Sequence, residues 1–328
     1  MPKVLIAPMT LANLESPFKT ALRSAGFDLV YPPAAHQLTE YELLRQLDGI
    51  DASLAGSEPY TERVLAAHPQ LKVIARVGVG YDAVDVPAAT ARGVAVTIAP
   101  GTNQDAVAEL CFTLMLCLAK DLVNQHLAVR SGGWPRRALL PLRGRTLGVA
   151  GLGRIGRALA LRALAFGMRV IAHDSFPDTV RDFATSKNIP LVSFEELLRQ
   201  SDYLSLHMPA TAETSHLINK KTLALMKPTA FLLNTARGAL VCEADLYEAL
   251  KAGKLAGAGL DVFEEEPPGR SPLYELPNVV LTPHAAGTDL QSRDDMALSA
   301  AMAIVSLSRG EWPAEKVVNP AVRERFKW

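Results

Sequence analysis

The sequence predicts an α/β protein built from two doubly wound parallel-sheet domains. Three observations carry that expectation. Short apolar, β-forming runs alternate with helical stretches over most of the chain, as they do when a parallel sheet is covered on both faces. The length, 328 residues, is about twice that of a common single domain. One apolar run, 146–150, leads straight into a glycine-rich turn and a helix, the unit from which such sheets are wound.

In the first region the strand candidates are 4–7, 28–31, 52–55, 73–77 and 94–98, with helical stretches between them. Gly93 closes the helix 87–92 from the position after its C-cap. Residues 103–129 then read as one long helix, apolar on most faces, ending near Ser131-Gly132-Gly133 and connecting two domains. The alternation restarts at 146–150, 169–173, 190–192, 203–206, 230–233, 256–261 and 279–281. Ser193 and Glu196 are spaced as a capping box, and Gly253 stops the helix 243–252. A last helix near 294–308 is expected to cross back to the first region. The expected division is therefore a discontinuous domain, 1–100 with 286–328, and an inserted domain, 101–285.

Composition narrows the class. Hydrophobic residues make up 49% and charged residues 21%, which suits a packed core and excludes a disordered chain. Lys+Arg and Asp+Glu both number 34, so no basic face for nucleic acid or a membrane surface is indicated. Cys111, Cys117 and Cys242 are too scattered for a disulfide framework or a zinc site, no metal is expected, and a reducing, cytoplasmic setting follows. The apolar N-terminus, 1–9, reads as a first buried strand rather than a leader. The longest apolar stretch, 106–119, is broken by Glu109 and falls short of the ~20 residues a bilayer requires.

Gly151, Gly153 and Gly156 form G-x-G-x-x-G between the run 146–150 and a helix at 154–165, and a second strand ends beside Asp174. In such a unit the first glycine allows the tight turn, the second lets backbone approach a pyrophosphate, and the third lets helix and strand pack closely. The helix N-terminus offers N–H groups to the negative charge. A carboxylate at Asp174 facing ribose hydroxyls would repel a 2′-phosphate, and Ser175 and Phe176 supply no cation, so NAD is expected over NADP.

Three further clusters fall at predicted strand ends, where open α/β sheets place their ligands: 234–238, 260–268 and 281–287. They supply a cation (Arg237), a carboxylate (Glu266) and an imidazole (His284), the set needed for hydride transfer to or from an alcohol. Each alone has a bland reading as a surface or salt-bridging residue.

Together, Gly151-Leu152-Gly153-Arg154-Ile155-Gly156, Asn234-Thr235-Ala236-Arg237-Gly238, Leu260-Asp261-Val262-Phe263-Glu264-Glu265-Glu266-Pro267 and Leu281-Thr282-Pro283-His284 resemble the D-isomer-specific 2-hydroxyacid dehydrogenase family. Arg76-Val77-Gly78-Val79-Gly80-Tyr81-Asp82, residues 103–109 and Leu206-His207-Met208-Pro209 extend the resemblance in order along nearly the whole chain. It implies a Rossmann cofactor domain inserted into a flavodoxin-like substrate domain, an NAD-dependent oxidoreductase acting on a small 2-hydroxy or 2-keto acid, and a homodimer. It also implies roles. Arg237 would hold the substrate carboxylate and carbonyl oxygen, His284 would exchange the alcohol proton, and Glu266 would support the protonated imidazole. The backbone of Val77, Gly78 and Val79 would bind the carboxylate. Arg154 and Ile155 would meet the pyrophosphate, Asp261 the nicotinamide amide, and His207, Met208 and Pro209 the adenosine side. Thr235, Ala236 and Gly287 complete the implied cofactor set. Trp134, in a segment resembling the family's dimer loop, would reach the partner's site or merely pack at a helix end.

Within the family, formate dehydrogenases carry glutamine where Glu266 stands, and phosphite dehydrogenases carry lysine near Val79, so neither substrate is expected. Phosphoglycerate dehydrogenases place arginines after the third strand, where this chain has Gly56-Ser57-Glu58-Pro59-Tyr60-Thr61. Glu58 would repel a phosphate, with Arg136 and Arg137 the remaining sources of charge. Phosphoglycerate stays the alternative substrate. The chain ends at Trp328, so no C-terminal regulatory domain is expected. A non-catalytic NAD-sensing protein of the same fold is the alternative class; the presence of arginine, glutamate and histidine favours the enzyme. His36, His68, His126, His173 and His216 read as surface or packing residues without partners.

Overall fold

The computed structural model describes every residue except 13, 34 and 35. The described residues form two compact units, Met1–Asn103 with Gly287–Trp328 and Gln104–Ala286.

The first unit carries β1 (Lys3–Ile6), α1 (Pro17–Ser24), β2 (Asp28–Val30), α2 (Glu40–Gln46), β3 (Ala52–Ala55), α3 (Glu62–Ala67), β4 (Val73–Arg76), α4 (Val86–Ala91) and β5 (Ala95–Thr97). The second carries α5 (Gln104–Ala119), α6 (Leu122–Arg130), β6 (Thr146–Ala150), α7 (Arg154–Ala165), β7 (Arg169–His173), α8 (Pro177–Ser186), α9 (Phe194–Gln200), β8 (Tyr203–Leu206), α10 (Lys220–Leu223), β9 (Phe231–Asn234), α11 (Glu243–Lys251), β10 (Gly257–Leu260) and β11 (Val279–Leu281). The final helix, α12 (Leu290–Ser308), returns to the first unit.

Among the described residues every pairing between these strands is parallel. The first sheet runs β2-β1-β3-β4-β5, the flavodoxin-like order. Residues of β3 and β4 are buried without alternation because helices cover both faces. Val4 and Ile6 face one apolar layer with Ala297, Ala301 and Ile304 of α12, while Leu5 and Ala7 face the other with Leu43, Leu65 and Ile74. The second sheet runs β11-β10-β9-β8-β6-β7. Its two layers are built on Leu147, Val149 and Leu233 against α5 and α7, and on Leu204, Leu232 and Leu260 against α9 and α11.

Three sequence expectations are corrected. The expected strand 190–192 is a single bridge, Leu191 to Ala172. Pro190 has no N–H to donate, and Ser193 already caps α9, so two residues remain to pair. Counted with that bridge, the second sheet has the Rossmann order, with its topological switch between β6 and β8. The expected continuous helix 103–129 is two helices. Asp121 adopts a left-handed backbone (φ 46°), accepts from the Asn124 side chain at 2.7 Å, and turns the chain into α6, which has no buried residue. The last helix begins at Leu290, earlier than expected, because Asp289 caps it by accepting from Ser292 N at 2.6 Å. The capping box of Ser193 and Glu196 forms as the spacing requires.

Candidate active site

In a parallel sheet all strand C-termini lie on one edge, and in the second unit that edge gathers the loops after β6, β8, β9, β10 and β11. Gly151 takes a left-handed backbone (φ 97°), and a Cβ there would stand 2.4 Å from the carbonyl oxygen of His207. A Cβ on Gly156 would stand 2.1 Å from Gly151 O. The first glycine thus docks the turn on the loop after β8, and the third docks α7 on the turn. Gly153, by contrast, faces open space and starts α7 with no side-chain cap, leaving the helix N-terminus to a ligand. That cradle fits a dinucleotide pyrophosphate. Arg154 is exposed beside it and Ile155 half-buried.

Asp174 lies at the end of β7 and grips the same turn: its Oδ2 accepts from Leu152 N at 2.8 Å and its Oδ1 from Phe176 N at 2.9 Å. His207 Nε2 pairs with Ser205 Oγ at 2.8 Å, and burial lowers its pKa to about 4, so it is neutral near pH 7. A wall position suits that imidazole better than an acid's. Met208 is half-buried and Pro209 exposed. Thr235 is buried, and its hydroxyl lies against the buried Cys111 thiol.

The three chemical residues come from adjacent loops. Asn234, buried at the end of β9, accepts from Ala236 N at 3.1 Å and donates to Arg237 O at 2.8 Å, setting the turn that presents Arg237 beside Ala236. Glu266 Oε1 accepts from Phe263 N at 3.0 Å and Oε2 meets His284 Nδ1 at 2.6 Å. Burial pulls the Glu266 carboxyl upward, but the His284 hydrogen bond and charge, the Phe263 N–H and the Arg237 charge outweigh it and hold the group below the usual carboxylate range. An ionised carboxylate only accepts, so Nδ1 of His284 donates and Nε2 is the nitrogen left for a proton transfer. His284 itself adopts a left-handed backbone (φ 51°), held by its N–H to Asp261 O at 2.8 Å.

Asp261, an expected cofactor contact, is engaged within the fold. Its carboxylate is fully buried and accepts from Thr282 Oγ1 at 2.6 Å, Ala285 N at 2.9 Å and Ala286 N at 2.9 Å. It fastens the loop that carries His284. Val77 is corrected: its N–H donates to Ala55 O at 2.8 Å within the first sheet, whereas the N–H groups of Gly78 and Val79 have no partner among the described residues. Gly287 and the Val77–Val79 turn belong to the first unit, the remaining candidates to the second. His36 and His216, expected to be unpartnered, pair with Glu42 and Glu264. Ser205 and Asn234 were not singled out as positioning residues. Their signal is a polar residue in an otherwise apolar strand, two before His207 and three before Arg237.

Residues 112–286 match the family model described as D-isomer specific 2-hydroxyacid dehydrogenase, NAD binding domain. The chain is 42% identical over 287 residues to a glyoxylate reductase of Thermococcus litoralis, covering 84% of this chain and 85% of that one. It is 42% identical over 286 residues to a D-3-phosphoglycerate dehydrogenase of Methanocaldococcus jannaschii, covering 86% and 54%. A crystal structure of D-lactate dehydrogenase from Aquifex aeolicus, complexed with NAD and lactic acid, matches with TM-score 0.85 at 29% identity, over 97% of this chain and 99% of that one. No described helix is long and apolar enough to cross a membrane. The matched family model, covering more than half of the chain, and relatives of this identity and coverage place the chain in the D-isomer specific 2-hydroxyacid dehydrogenase family, as an NAD-dependent oxidoreductase.

Proposed function

We propose that this enzyme interconverts a small, unphosphorylated D-2-hydroxy acid and its 2-keto acid, with glyoxylate and hydroxypyruvate the first candidates. The observation that carries the reading is the 2.6 Å contact of His284 Nδ1 with Glu266, which orients Nε2 as the proton donor and acceptor. NAD, when bound, supplies or accepts the hydride at the carbon. Gly151, Gly153, Arg154, Ile155 and Gly156 hold its pyrophosphate, Asp174 its ribose, and Thr235, Ala236, His207, Met208 and Pro209 line the rest. Arg237 takes the substrate carboxylate and carbonyl oxygen and sets the carbon in line for transfer. In the first unit, the N–H groups of Gly78 and Val79 are donors suited to a carboxylate. In reduction, Nε2 of protonated His284 gives its proton to the oxygen as the alcohol forms, while Glu266 balances the imidazolium charge. In oxidation the proton returns.

The choice of an unphosphorylated acid is supported by two relatives 42% and 43% identical to this chain, both named glyoxylate reductases, and by Glu58 in the loop after β3. Loss of NADH absorbance with glyoxylate, hydroxypyruvate, pyruvate, phenylpyruvate and 3-phosphohydroxypyruvate tests it; turnover of the last alone would overturn it. The free thiols of Cys111, Cys117 and Cys242 suit a cytoplasmic setting. A homodimer is supported by α6, whose Leu122, Leu127 and Val129 are exposed, and by Trp134, 77% exposed, which with Val129 lines a hollow of about 320 Å³. Sedimentation should give a dimer that Leu127→Glu dissociates; a monomeric wild type would remove the proposal.

A further inference from the structure

The first unit buries a pair of opposite charges that the chemistry above does not use. Glu58, 2% exposed, lies in the loop after β3, and Arg76, 8% exposed, ends the neighbouring strand β4. They hold the two sides of one peptide unit. Arg76 Nη1 donates to Ala55 O at 3.1 Å, and Glu58 Oε2 accepts from the N–H of the next residue, Gly56, at 2.6 Å. Arg76 also donates from Nε to Gly80 O at 2.8 Å, closing the turn that carries the N–H groups of Gly78 and Val79. Tyr60, fully buried, closes the floor through its hydroxyl to Ser53 Oγ at 2.6 Å. Burial drives the Glu58 carboxyl upward, opposed by its own N–H, the Arg76 charge and the Gly56 N–H.

Such a pair is poor at adding stability, because desolvation offsets the Coulomb gain, but it fixes geometry. An arginine beside an anion-binding turn would otherwise draw a second anionic group of the substrate. We propose that Glu58 and Arg76 are a positioning pair that holds the Gly78–Val79 turn and, by engaging Arg76 within the fold, selects acids whose end remote from the carboxylate is uncharged. The inference deepens the proposed function and rests on it.

The test compares kcat and KM for hydroxypyruvate and 3-phosphohydroxypyruvate in the wild type, Glu58→Gln, Glu58→Asp and Arg76→Lys, all with NADH. Gln keeps an acceptor for Gly56 N–H and removes the charge. It should raise the kcat/KM ratio of phosphorylated over unphosphorylated acid at least tenfold, through KM, with NADH affinity unchanged. Asp retains the charge and should keep the wild-type ratio; Glu58→Ala, which also removes the charge, takes the place of Gln if Gln does not fold. Lys cannot span both Ala55 O and Gly80 O, and should raise KM for both acids about tenfold while kcat changes less than threefold. A ratio unmoved by Glu58→Gln, or moved equally by Glu58→Asp, would overturn the selection; an unaltered KM in Arg76→Lys would overturn the positioning. A wild type that turns over neither acid overturns the functional reading itself, an outcome distinct from an active enzyme with an unmoved ratio.

Discussion

Gly238 lies so close to Phe263 that a Cβ on it would stand 1.8 Å from the Phe263 carbonyl oxygen and 2.5 Å from Glu264 N. The turn bearing Arg237 and the loop bearing Glu266 are therefore docked backbone to backbone, at a separation only glycine permits. Gly238→Ala must push the two loops apart. Overpacking of this kind costs about 1–3 kcal/mol, and the variant should melt lower while losing kcat/KM, since the cation and the carboxylate no longer share one frame. Calorimetry beside steady-state kinetics checks both; an unchanged melting temperature with full activity would show that the loops are not docked as described.

His284 carries the largest expected loss. General acid–base catalysis contributes roughly 10²–10⁴-fold, and His284→Asn should lose activity on that scale while NADH, titrated by its fluorescence, still binds. Asparagine is the better replacement than alanine because His284 sits at φ 51°, a left-handed backbone that asparagine tolerates. A variant with wild-type turnover would remove His284 from the chemistry.

Glu266 should reveal itself in pH profiles. Its carboxylate is held below the usual range, so it is ionised throughout neutral pH and stabilises positive charge on the imidazole 2.6 Å away. Glu266→Gln removes that charge and should reduce kcat roughly tenfold or more. The stability sign is the reverse of a histidine's. A carboxyl depressed by folding contributes stability above its unfolded value and loses it as pH falls through the folded one. Wild type should therefore lose melting temperature more steeply than Glu266→Gln below the ordinary carboxylate range. Superimposable rate and melting profiles for the two proteins would contradict the pairing.

The alternation of apolar runs and the glycine spacing made both sheets legible, because strand burial on two faces and a βα turn are local properties of sequence. The motif order along the chain pointed to Arg237, Glu266 and His284 before any distance was known. What stayed hidden depended on partners distant in the chain. Asp261 accepts from residues 21 to 25 positions onward, contacts that its neighbours in sequence do not announce. Val77 N–H is taken by Ala55, 22 positions back, through strand pairing that no local signal specifies. The break at Asp121 escaped notice because aspartate is tolerated in a helical pattern, and only its left-handed backbone separates α5 from α6.

Asp174 does two jobs that a single substitution would confuse. Facing a ribose, it would repel the 2′-phosphate of NADP; within the fold, it accepts the N–H of Leu152 in the middle of the glycine turn. Asp174→Ala removes both and should weaken NADH and NADPH alike, since the cradle itself loosens. Asp174→Asn keeps an acceptor for Leu152 N–H while removing the charge, so the turn persists and only the repulsion goes. The KM ratio of NADPH to NADH should then fall about tenfold, in line with the loss of one close charge contact of about 1–2 kcal/mol. If Asn and Ala behave identically toward both cofactors, the aspartate serves the turn alone, and cofactor choice is made elsewhere on the loop after β7.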